Sequence, residues 1–92
     1  MIPQHTKKAL INWVKIGNQY DHGSFLTAIV SNDLMKSFSC ADDLNLYSML
    51  DIVKWMYNNL PISCYGSIKK MKEWKGLEEE EFNRWLENIN KK

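Results

Sequence analysis

The 92-residue chain has two cysteines, two prolines, four glycines and a formal charge of +1, and each of these scarcities closes off a class of protein. Cys40 and Cys64 lack C-x-x-C spacing, and Met1-Ile2-Pro3-Gln4-His5 begins nothing like a signal peptide, so the expectation is two buried free thiols rather than a disulfide. No apolar run approaches the roughly 18 residues that span a bilayer, which points to a cytoplasmic protein with no membrane partner. A charge so near zero argues against a protein built around a nucleic-acid backbone, because such domains carry a strong basic excess. His5, His22, Cys40 and Cys64 do not have ligand spacing, and neither a nucleophile motif nor a glycine-rich phosphate loop is present. The sequence therefore predicts a protein that is not an enzyme, with no catalytic residues, no metal and no cofactor.

What is present is a core. Apolar residues make up 45% of the chain, with 4 Trp, 4 Tyr and 3 Phe, enough for one packed domain over residues 1–92. A domain this small buries about two-thirds of the surface of its unfolded chain, and association with copies of itself would add to that, so a homo-oligomer is expected. Charge is unevenly spread. Residues 1–66 hold five Lys against five Asp, residues 67–76 four Lys against one Glu, and residues 77–92 five Glu against Arg84, Lys91 and Lys92.

The periodicity is helical throughout, and the fold class is all-α: four or five short helices around a central one at about 42–60. Pro3 suits a first turn, Leu10, Trp13 and Val14 share a face, and Gly17 stops a helix over about 4–16. Ser24 reads as the cap of a second helix whose stripe, Leu26, Val30, Leu34 and Phe38, runs to about Ala41. Asp42 or Asp43 caps the third. There Leu46, Leu50, Val53, Tyr57 and Leu60 keep four-three spacing while Met49, Ile52 and Met56 form a second stripe, so the helix is contacted on two sides, by its own chain or by a second subunit. Pro61 ends it. Ser67 caps a fourth helix that Gly76 closes, and an acidic helix runs over about 78–90 through Phe82, Trp85, Leu86 and Ile89, with Lys91-Lys92 suiting its far end. The tryptophans and methionines at 13, 49, 56, 74 and 85 read as core, and Trp55 as an exposed or interfacial ring.

The strongest candidate for chemistry is Tyr65-Gly66-Ser67-Ile68-Lys69-Lys70. A helix start offers free N–H groups, glycine admits a close ligand, Lys69 and Lys70 add charge, and Tyr65 offers a ring for stacking, which together suit a phosphate and a base. An ordinary capped helix has the same residues. Gly23-Ser24 is a second start of this kind, and the two could converge on one anion. Asn32-Asp33 is unusual inside a helix and is either locally bonded or ligand-binding.

The blocks Gly23-Ser24-Phe25-Leu26-Thr27-Ala28, Ser31-Asn32-Asp33-Leu34, Tyr57-Asn58-Asn59-Leu60-Pro61 and Cys64-Tyr65-Gly66-Ser67, in that order and followed by Trp74, resemble a family of short phage and prophage proteins across about 23–74. That family often has tryptophan at the place of Tyr65, and Pro-Glu-Lys where this chain has Ile68-Lys69-Lys70; the acidic last helix looks like an addition. The resemblance implies a phage genome and a bacterial host, and it carries no mechanism. By analogy with small phage proteins that act stoichiometrically, the leading expectation is a counter-defence binder that sequesters a small phosphorylated nucleotide. The alternative is a protein-binding module that inhibits a host or defence protein, and the third reading is a DNA-binding regulator using the face of Lys69, Lys72 and Lys75.

Overall fold

A computed structural model describes residues 1–91; Lys92, half of the expected basic end of the last helix, lies outside them. Among the described residues there are seven α-helices and no strand: α1 Gln4–Ile16, α2 Ser24–Val30, α3 Leu34–Cys40, α4 Asp43–Tyr47, α5 Met49–Asn59, α6 Ile68–Glu73 and α7 Glu79–Asn90. The all-α class is thus correct, with more and shorter helices than the periodicity implies. No helix of the described residues is long and apolar enough to cross a membrane.

Two helices expected to be continuous are broken. Leu26 to Phe38 keeps an unbroken apolar repeat, yet the chain turns at Ser31–Asp33, where Asn32 takes a left-handed backbone conformation with φ 64°. Asparagine tolerates that geometry far better than bulkier residues. Asp33 then caps α3, its carboxylate accepting the Lys36 N–H at 3.1 Å. Asn32-Asp33 is accordingly a turn and a cap. The reversal lays α3 back along α2 and removes half the expected stripe from the core: Leu26 and Val30 are buried, whereas Leu34 and Phe38 are exposed.

The central helix divides at Ser48, but the break is shallow. Ser48 N–H still donates to Leu44 C=O at 3.1 Å and Ile52 N–H to Ser48 C=O at 2.8 Å, so the helical ladder carries across. Asp42 is the cap, accepting the Asn45 N–H at 2.8 Å while its other oxygen lies 3.1 Å from His5 Nε2. On α5 the assignment of faces reverses expectation. Met49, Ile52 and Met56 are buried, and the four-three stripe of Leu46, Leu50, Val53 and Tyr57 faces outward, with Leu60 alone of that series in the core. Trp55 is half-buried against the core rather than exposed.

The core gathers Leu10, Trp13 and Val14 of α1 with Leu26, Ile29 and Val30 of α2, the inner stripe of α5, Leu60, Cys64 and Phe82. Tryptophan N–H groups stitch this side. Trp13 Nε1 donates to Cys64 C=O at 2.9 Å, Trp74 Nε1 to Trp13 C=O at 2.9 Å, and Trp85 Nε1 to Asn59 C=O at 2.6 Å. Each indole thereby buries a ring and satisfies a loop or helix-end carbonyl in one step.

Where α1 ends, its backbone meets the segment after α6. Asn18 N–H donates to Trp74 C=O and Leu77 N–H to Val14 C=O, both at 3.0 Å. The approach needs glycine on both segments: a Cβ on Gly17 would stand 2.5 Å from Trp74 O, and one on Gly76 2.3 Å from Lys15 O. Gly76 is therefore a crossing point and not the close of α6, which ends at Glu73 with Trp74 as its C-cap, the Trp74 N–H donating to Lys70 C=O at 3.0 Å.

Candidate functional site

The turn that follows Pro61 is fixed from three directions. Cys64 is fully buried beneath Trp13, Gly66 N–H donates to Val30 C=O at 2.8 Å, and Ser67 Oγ accepts the Lys70 N–H at 3.1 Å, so Ser67 is the cap of α6 as expected. Gly66 has φ 113°, a conformation that glycine adopts freely and that side chains oppose. The Lys70 side chain folds back over this turn: its ammonium donates to Ile62 C=O at 3.1 Å and would lie 3.8 Å from a Cβ placed on Gly66.

Tying Gly66 to the end of α2 sets the turn at one end of an open hollow of about 600 Å³ between α3 and α5. Its walls are Ile29, Leu34 and Phe38 on one side and Met49, Leu50, Val53, Met56 and Tyr57 on the other. Polar groups enter at Asn32, Ser37 and the Tyr65-Gly66 turn. The volume falls within the range of small-molecule sites, which are commonly apolar with a few placed polar groups.

The structure thus brings together three of the sequence-predicted residues, Asn32, Tyr65 and Gly66, and sets Ser67 and Lys70 just behind them. It separates others. Gly23 and Ser24 sit at the opposite end of α2, about 10 Å away at 1.5 Å per residue, and line a different hollow with His5, His22, Cys40 and Asp42. The two Gly-Ser starts do not converge on one anion. Nor does Ser24 cap α2; Gly23 holds the cap position, with no side-chain cap bond, and Thr27 Oγ1 donates to Gly23 C=O at 2.7 Å. Asp33 is spent on the cap of α3, Gly66 N–H on Val30, and Lys69 is exposed on the surface of α6.

Burial pushes the Cys64 thiol up to about 12, which keeps it protonated and unreactive in the fold. Cys40 is partly exposed in the second hollow, so one thiol of the expected buried pair is reachable. The Met1 amino group pairs with Asp51 and lowers that carboxyl, both groups being at the surface. Among the described residues no group of three His, Cys, Asp or Glu side chains is placed to hold a metal ion.

Sequence reasoning missed the hollow itself. The signal was present in the doubled stripe of α5, since a helix with two apolar faces needs a second covering, but α3 covers only part of it. No family model, curated protein or solved structure matches the chain.

Proposed function

We propose that the protein is a non-enzymatic, phage-type counter-defence binder that sequesters a small phosphorylated nucleotide. The base would enter the apolar hollow against Tyr65, and the phosphate would face outward at Gly66, within reach of Lys70. The observation that carries this reading is the meeting of Asn32, Tyr65 and Gly66, remote in sequence, at one end of a hollow of about 600 Å³ with the Lys70 ammonium beside it. One of the three ammonium donors is used on Ile62, which leaves two for an anion. The resemblance of residues 23–74 to short phage proteins supplies the phage setting.

Thermal-shift screening against cyclic nucleotides and ADP-ribose derivatives tests it. A ligand at about 100 times its dissociation constant adds about 2.7 kcal/mol of stability, enough to raise the melting temperature by several degrees in a chain this size. Tyr65→Ala and Lys70→Ala should each abolish that rise. Absence of any shift across the panel sinks the reading.

The apolar walls favour a second reading, capture of a host or defence protein by insertion of an amphipathic helix into the same hollow. A stoichiometric host protein retained by the wild type, lost with Phe38→Glu and unaffected by Lys70→Ala, would replace the first reading with this one.

A further inference from the structure

Among the described residues the outer face of α4 and α5 is covered only in part, by α3 across the hollow. Leu46, Leu50, Val53 and Tyr57 are 48%, 67%, 51% and 77% exposed, and Leu34 and Phe38, across the hollow on α3, are 66% and 47% exposed. With about 150–250 Å² as the full area of a large side chain, these six leave roughly 500–900 Å² of mostly apolar surface, where the largest patch on a monomer is usually about 300–600 Å². A standard specific interface takes about 800 Å² from each partner. The patch is thus near the size of half an interface.

We infer that this face is a contact between two copies of the chain, made by packing the 46-50-53-57 seam of one on the same seam of the other. The spacing carries the choice of occupant. Steps of four, three and four residues form the narrow apolar seam by which one helix packs along a like helix at a shallow angle. The ladder across Ser48 keeps that seam continuous for about 16 Å, counted at 1.5 Å per residue.

Charge agrees with the geometry. Residues 34–60 contain Lys36 and Lys54 against Asp42, Asp43 and Asp51, a balance of −1, while the basic and acidic stretches of the chain lie elsewhere, in residues 67–76 and 77–92. A face so nearly neutral meets its own copy about a two-fold axis with little like-charge repulsion, and it offers no handle to a partner selected by charge. The pairing explains why a helix with two apolar stripes has one in its own core and the other outside. Leu34, Phe38 and Tyr57 also wall the hollow, so the second copy would close its open side.

Light-scattering mass across a concentration series, without added nucleotide, tests the pairing apart from the ligand reading. The wild type is expected at twice the chain mass, and Leu50→Glu and Val53→Glu at the mass of one chain with helical circular dichroism unchanged, since both side chains are exposed. A wild type that stays monomeric up to its solubility limit overturns the inference, as does a dimer that survives both substitutions. Should either variant lose helicity, Val53→Cys in a Cys40→Ser background decides: a short bis-maleimide should yield a covalent dimer, and its absence overturns the inference. A nucleotide screen that fails leaves these outcomes untouched.

Discussion

The two sides of α5 carry similar amounts of apolar side chain and are used in opposite ways. Toward α1, α2 and α7 its residues Met49, Ile52 and Met56 enter a core whose edges are stitched by three indole N–H bonds and by the Gly17–Gly76 crossing. Toward α3 the residues Leu50, Val53 and Tyr57 line an open hollow whose walls are mostly apolar. Side chains of one type thus do different work according to whether backbone polar groups close around them. The stitched side determines whether the chain folds. The open side is free to change with little loss of monomer stability, which suits a binding surface.

The largest contrast should come from glycine. Gly76→Ala places a Cβ 2.3 Å from the Lys15 carbonyl oxygen, at φ 96°, so the two backbones must part and the Asn18 and Leu77 bonds go with them. A loss of about 3 kcal/mol or more is expected in urea denaturation, from strain added to broken bonds. Gly23→Ala is the control: its φ is 88° but nothing lies within 4 Å of the added atom, so the backbone penalty of about 1–2 kcal/mol should stand alone. Equal losses at the two positions would erase the distinction between the crossing and an ordinary turn.

Next in size are paired substitutions on the two sides. Trp13→Phe keeps most of the ring in place and removes the donor to Cys64 C=O, leaving a buried carbonyl unpaired; a loss of about 2 kcal/mol is expected. Leu50→Gln, two-thirds exposed, should cost the folded monomer no more than about 0.5 kcal/mol, the usual range for surface changes. Denaturation in the dilute limit reads both without the contribution of association.

Much of this division is legible in the sequence, and the rest fails for physical reasons. Helix α1 begins and ends where Pro3 and Gly17 place it, and Asp42, Ser67 and Pro61 act as cap, cap and stop, because these are local effects of backbone sterics and nearby N–H groups. The Asn32 turn was hidden under an unbroken four-residue repeat, since Leu34 and Phe38 keep the spacing of a core stripe while facing the hollow. Which stripe of α5 lies inward is a tertiary choice, and spacing is blind to it. Of the candidate site, the turn at Tyr65-Gly66 and its neighbour Asn32 were visible as residue types. That they meet follows from the Gly66–Val30 bond, a contact between segments far apart in the chain. The separation of Gly23-Ser24 from them has the same origin.

The smallest expected effect compares the two thiols. Cys64 lies in the stitched side, and burial raises it from 9.0 to about 12. The unfolded chain therefore loses its thiol proton first on going alkaline, and the folded chain keeps it. Above pH 9 the unfolded state binds fewer protons than the native state, so the stabilisation is complete below about 9 and declines as pH rises toward 12. At pH 10 the decline should be roughly 1 kcal/mol, at about 1.4 kcal/mol per unit once the unfolded thiol is ionised. Cys64→Ala should flatten that part of the pH profile, although it lowers stability at neutral pH by opening a cavity. Cys40, at the end of α3 and partly exposed, should react with a thiol reagent in the native state while Cys64 reacts only on unfolding. Equal labelling rates for the two would mean that the stitched side opens as readily as the hollow, and the contrast between the faces of α5 would then be one of shape alone.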